Sequence, residues 1–237
     1  MTTATWLGRA VTAVLFDLDD TLVDHRGAVE RGLRAWLSGL GLDGSLEERA
    51  DRWFALEAFH YERSQRGEIS YQQQRRERIR AFFPQCDLRD DAVADDVFAG
   101  YLACYRSAWS AFADAGAALA RVRELGLPVG ILTNGEQAGQ EAKVRHTGLA
   151  RYDVPVFASS SLPAAKPDAR AFHEACSALG VEPAGVVMVG DSLHHDVHGA
   201  RTAGLEGVLI DRIGRYDRRA AGIDGVTRIR TLADLGW

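Results

Sequence analysis

Apolar residues follow two distinct rhythms along the 237-residue chain. Four short apolar segments, at 11–16, 129–132, 154–157 and 186–189, have the length and β-branched or aromatic content of buried parallel strands, and 208–210 resembles a fifth. Between the runs lie helical patterns of apolar positions. Ala117, Leu119, Val122 and Leu125 mark a helix over 114–125 that stops at Gly126, and 168–179 repeats the scheme and stops at Gly180. Strands alternating with helices of this length imply right-handed crossovers and a doubly wound, Rossmann-like parallel sheet, so the fold class is α/β.

The stretch 24–109 breaks that alternation. It holds no strand-like run and reads as successive helices over 27–40, 46–63, 70–83 and 91–109. Ser70 followed three residues later by Gln73 has the pattern of a capping box, and Pro84 ends that helix. Trp36, Trp53, Phe54 and Phe59 recur near helical spacing and predict an aromatic core for this block. The expected organisation is an α/β core from 1–22 and 110–237, with an all-helical insertion at 23–109.

Composition narrows the function classes. Hydrophobic residues make up 46% and charged residues 26%, which excludes a disordered chain. A net charge of −5 gives no overall attraction to nucleic acid or to an anionic membrane. No apolar stretch approaches the length of a membrane span, and the run at 11–16 is cut at once by Asp17, unlike a secretory leader. Cys86, Cys104 and Cys176 are scattered, odd in number and without CxxC spacing. They predict a reduced, cytoplasmic protein without a cysteine zinc site.

The chemistry-bearing residues sit just past the C-terminal ends of the predicted strands, the edge where open α/β sheets bind ligands. They are Asp17-Leu18-Asp19-Asp20-Thr21, Thr133-Asn134-Gly135, Lys166-Pro167 and Gly190-Asp191-Ser192, with Asp196 five residues beyond Asp191. If these loops converge, four carboxylates share one crevice. Two like charges about 4 Å apart repel by about 4 kcal/mol at an effective dielectric of ~20. Relief must come from Lys166, from raised carboxylate pKa values or from a hard cation such as Mg²⁺, which takes one or two carboxylates and a substrate phosphate oxygen.

These ordered motifs resemble those of the haloacid dehalogenase-like hydrolase superfamily: Phe16-Asp-Leu-Asp-Asp-Thr-Leu-Val23, Thr133-Asn134-Gly135, Lys166-Pro167-Asp168, and Gly190-Asp191-Ser192 with Asp196-Val197 and Gly199-Ala200. The resemblance implies that the helical block is that family's cap. It implies that Asp17 is a nucleophile forming an aspartyl-phosphate and that Asp19 is the acid–base residue. Thr133 and the Asn134 backbone would hydrogen-bond phosphoryl oxygens, and Lys166 would neutralise charge. Asp17, the Asp19 carbonyl oxygen and Asp191 would hold Mg²⁺, while Asp196, with Ser192 beside it, would orient Lys166 or a metal-bound water. The dehalogenases that name the superfamily lack the second aspartate, so Asp19 favours hydrolysis of a phosphate ester.

The Thr-Asn-Gly motif, the 67–70 stretch and the helical cap are most similar to the nucleotidase and sugar-phosphatase branch. The implied partner is a small phosphorylated metabolite such as a 5′-nucleotide, N-acylneuraminate 9-phosphate or phosphoglycolate. A phosphotransferase or mutase would use the same intermediate. A phosphorylated receiver module would also cluster aspartates, but in a shorter chain and after a later strand.

Other features carry two readings. Tyr61, Arg63, Arg66 and Arg76 gather around the predicted helix break at 67–70, either as substrate contacts or as a solvated helix face. His194 and His198, four apart, have the spacing of a transition-metal pair, with rim positions as the simpler reading. Asp20 is assigned to turn hydrogen bonding.

Overall fold

The computed structural model describes residues 4–6, 9–42, 45–216 and 223–237. The chain forms two compact units, one from Met1–His25 with Ser110–Trp237 and one from Arg26–Trp109.

The first unit opens with an antiparallel hairpin of β1 (Ala4–Trp6) and β2 (Arg9–Val11). Six parallel strands follow: β3 (Ala13–Phe16), β4 (Val129–Thr133), β5 (Val156–Ala158), β6 (Val186–Gly190), β7 (Glu206–Ile210) and β8 (Thr227–Ile229). They lie in the order β5-β4-β3-β6-β7-β8. The apolar run at 11–16 is therefore split. Val11 closes the hairpin, the Thr12 amide bonds the Gly185 carbonyl, and only Ala13–Phe16 enters the sheet. β8 escapes sequence reading because only Ile229 of its three residues is buried.

Successive side chains of β3 point to opposite faces. Val14 and Phe16 join one apolar cluster with Leu119, Val122 and Ile131, while Ala13 and Leu15 join another with Phe172, Ala175 and Met188. Burial on both faces explains why the strand reads as continuous rather than alternating hydrophobicity.

The second unit contains α1 (His25–Gly39) beyond its first residue, α2 (Leu46–Gln65), α3 (Tyr71–Phe82) and α4 (Asp91–Ser107). Ser45, Ser70 and Asp90 cap the last three by accepting hydrogen bonds from first-turn amides. At Ser70 the hydroxyl accepts from the Gln73 amide, but the Gln73 side chain turns to Glu77, so half of the expected capping box forms. Trp36, Trp53, Phe82, Phe98 and Tyr101 pack in a separate core, Phe98 stacked on Trp53 and the other ring pairs edge-on or tilted. Gly32 lies so close to the Tyr105 backbone that a β-carbon would sit 2.7 Å from its Cα.

The chain leaves the first unit between His25 and Arg26, three residues later than the insertion boundary expected from sequence. Val23 bridges both Asp19 and Ala111, and the Asp24 amide donates to the Ser110 carbonyl at 3.0 Å, which ties 23–25 to the sheet-bearing unit. The remaining helices, α5 (Ala115–Glu124), α6 (Gln137–His146), α7 (Ala169–Leu179) and α8 (Gly199–Thr202), flank the sheet. Among the described residues, no helix is long and apolar enough to cross a membrane.

Candidate active site

Register delivers the loops to one edge. Phe16 pairs with Ile131 on one side and Val189 on the other. Asp17, Thr133 and Asp191 consequently emerge from the C-terminal ends of three adjacent strands, β3, β4 and β6. The Asp17 amide continues the ladder to the Val189 carbonyl at 2.9 Å.

Lys166 reaches this edge from the loop after β5. Its ammonium donates to Asp17 Oδ1 at 2.7 Å, Asp196 Oδ1 at 2.6 Å and the Leu132 carbonyl at 2.9 Å. A lysine has three donors, so this buried group is fully satisfied. Asn134 fixes the loop: its side-chain nitrogen donates to the Lys166 carbonyl and its side-chain oxygen accepts from the Lys166 amide, both at 2.9 Å. The Lys166–Pro167 peptide is cis.

Asp196 spends its other oxygen on the Ser192 amide at 2.9 Å. Ser192 in turn caps the turn Leu193–His198, its hydroxyl accepting from the His195 amide. That segment is a π-turn rather than an α-helix. The His194 ring lies edge-on to that of His195.

Asp19 is held from a different side. Lys143 on α6 donates to Asp19 Oδ1 at 2.5 Å, and Gln140, one helical turn earlier, donates to Asp19 Oδ2 at 3.2 Å and to Thr133 Oγ1 at 2.8 Å. Asp20 adopts φ +58°, the left-handed region that aspartate tolerates better than most residues, and its amide bonds the Val23 carbonyl. Its backbone serves the turn. Sequence reading missed Gln140 and Lys143, which look like ordinary polar positions of a surface helix. It also missed Arg215, whose guanidinium lies 3.3 Å from Asp191 Oδ2, and Tyr216 beside it.

The charges are unevenly matched. Burial pushes the Asp17 carboxyl up to about 7, Lys166 opposing and the neighbouring Asp196 and Asp19 charges adding to the rise. Burial also raises Asp191 well above its ordinary range, reinforced by Asp17 and Asp196 and opposed by Arg215. Asp19 goes the other way: burial would raise it, but the Lys143 and His25 charges hold it below its ordinary value. Lys166 is held above its ordinary value, the Asp17 and Asp196 charges overcoming burial.

Ligand atoms of Asp17, Asp191 and Asp196 lie within 4.8 Å of one another. Hard carboxylate oxygens, two of them on groups that burial and mutual repulsion disfavour as anions, fit a divalent cation such as Mg²⁺. Asp196 has both oxygens engaged, one on Lys166 and the other on the Ser192 amide.

The remaining sequence candidates lie in the helical unit, within carboxylate partnerships. Arg63 pairs with Glu77 and Glu68, Arg66 with Glu62 and Glu68, and Arg76 with Asp95 and Asp91. Tyr61 meets Tyr71 edge-on at 6.5 Å between ring centroids.

Comparison with known proteins places these observations. The family model for haloacid dehalogenase-like hydrolases matches residues 11–204. A glyceraldehyde 3-phosphate phosphatase of Methanopyrus kandleri is 32% identical over 221 residues, covering 87% of this chain and 86% of its own. A phosphoserine phosphatase of Thermus thermophilus is 40% identical over 107 residues, a match spanning 45% of this chain and 43% of that relative. Among solved structures, a HAD-hydrolase of Bacillus subtilis bound to magnesium superposes with a TM-score of 0.77 at 19% identity, covering 95% of this chain and 96% of that one.

Proposed function

The chain belongs to the haloacid dehalogenase-like hydrolase family, and from that premise we propose that it is a Mg²⁺-dependent phosphatase acting on a small phosphate monoester. The observation that supports this most is the pair Asp17 and Asp19 at one strand end, the first bonded to Lys166 and the second to Lys143. A dehalogenase needs only the first carboxylate; a phosphate ester also needs a proton donor for its leaving oxygen.

Asp17 attacks phosphorus as the bond to the ester oxygen breaks, giving an aspartyl-phosphate. Asp19 gives its proton to the departing alkoxide, then takes one from the water that attacks phosphorus and releases Asp17 and inorganic phosphate. Thr133 and the Asn134 amide bind phosphoryl oxygens, and Lys166 balances charge on Asp17. Asp17, the Asp19 carbonyl and Asp191 would hold Mg²⁺, which when bound favours ionised Asp17 and neutralises charge on the phosphoryl group. A phosphate dianion arriving beside Asp19 shifts that carboxyl towards its protonated form. Substrate therefore opposes the ionisation bias set by Lys143.

Sugar phosphates, nucleotides and phosphoglycolate-like esters are the proposed substrate class, and the helical unit is proposed as the cap that selects among them. The three free cysteines suit a cytoplasmic setting.

The test is a panel of phosphorylated metabolites and 2-haloacids, assayed with Mg²⁺ and with EDTA. Phosphate release that requires Mg²⁺, and a phosphoryl group trapped on Asp17 by acid quench, are expected. Release of halide, transfer to a second hydroxyl without phosphate release, or full activity of Asp17→Asn would reject the assignment.

A further inference from the structure

The turn after β7 reaches back to the Asp191 loop. The Tyr216 hydroxyl donates to the Asp191 carbonyl at 3.3 Å and accepts from the Leu193 amide at 3.1 Å. One phenol thus bridges the backbone on both sides of Ser192. Tyr216 is itself pinned. Its ring packs against the apolar cluster of Leu193, Val197, Leu209 and Ile223. Its amide donates to Asp211 Oδ2 at 3.2 Å, and the Arg215 amide donates to Asp211 Oδ1 at 2.7 Å. Asp211 is 3% exposed at the end of β7 and is ion-paired with Arg228 of β8. β7 and β8, at the far edge of the sheet, therefore anchor a side chain whose hydroxyl bonds the main chain flanking Ser192.

We propose that Tyr216 is a positioning residue for the metal ligand Asp191, holding the Asp191-Ser192-Leu193 backbone so that its carboxylate is aimed before a cation arrives. This rests on the reading of Asp191 as a Mg²⁺ ligand given above. Groups that orient a ligand without touching the metal typically set affinity by about 10- to 100-fold. Tyr216 contributes through two hydrogen bonds to uncharged groups, which places its effect at the lower end of that span.

The experiment is calorimetric titration of Mg²⁺ into the full-length protein, for wild type, Tyr216→Phe and Asp191→Asn. Unfolding midpoints are measured without metal, together with amide exchange at Leu193. Tyr216→Phe keeps the ring and is expected to leave the metal-free midpoint within a few degrees. It is expected to speed Leu193 exchange and weaken Mg²⁺ binding by about 10-fold. Wild-type binding that is lost in Asp191→Asn but unchanged in Tyr216→Phe overturns the positioning role and leaves the metal assignment standing. No Mg²⁺ binding by wild type, or equal binding by Asp191→Asn, overturns both. Unchanged Leu193 exchange overturns the brace whatever the metal does.

Discussion

At the residue scale, the buried carboxylates cost the fold stability once they ionise. Asp17 carries a folded-state pKa of about 7 against an ordinary 3.8. Between those values the folded chain retains a proton that the unfolded chain has lost, so stability falls as pH rises from about 4 to about 7 and levels off above. In EDTA, Asp17→Asn removes that cost. Its melting temperature is expected to match wild type near pH 4 and to exceed it by several degrees at pH 8; a gap that does not widen with pH would contradict the buried-charge account. Lys143→Met leaves Asp19 without its cation. It is expected to destabilise the protein by about 1–3 kcal/mol in urea melts and to lower kcat at least 10-fold, with Mg²⁺ affinity unchanged. The two lysines were unequally legible. Lys166 belongs to an ordered series of motifs, whereas Lys143 sits mid-helix and 124 positions from Asp19, where only tertiary structure reveals the contact.

At the element scale, strand ends matter more than strand middles. β6 finishes on Gly190, where a β-carbon would fall 2.2 Å from Asp196 Cγ. Gly190→Ala is expected to displace Asp196 from Lys166, costing ~1–3 kcal/mol and most of the activity, as unfolding and phosphate-release assays would show. In the helical unit, Asp90→Ala removes the acceptor for the Ala92 and Val93 amides and is expected to cost about 1 kcal/mol by denaturant unfolding, with no change in Mg²⁺ binding. The strongly periodic and fully apolar segments announced these elements from sequence. β8 and the π-turn did not announce themselves: the former buries one residue of three, and the latter differs from an α-helix only in its hydrogen-bond register.

At the scale of the whole molecule, the chain crosses between its units twice, and the segments flanking the crossings are hydrogen-bonded at Asp24 and Ser110. A few glycine and serine residues joining His25 to Ser110 can therefore replace the helical unit. The shortened chain is expected to unfold cooperatively and bind Mg²⁺ with near-native affinity, while discriminating less among phosphate esters. Loss of cooperative unfolding would show that the sheet unit depends on its insertion. The same connectivity sets a clock during synthesis. β3 is the first strand of the sheet to be made, yet its partners begin at Val129 and Val186. At about 5–20 residues per second, the ribosome leaves this strand unpaired for roughly 6–23 s before β4 is made. The intervening segment, with its own aromatic core, can fold in that interval, so a nascent chain presents a finished helical unit while its most apolar strand still waits for a neighbour.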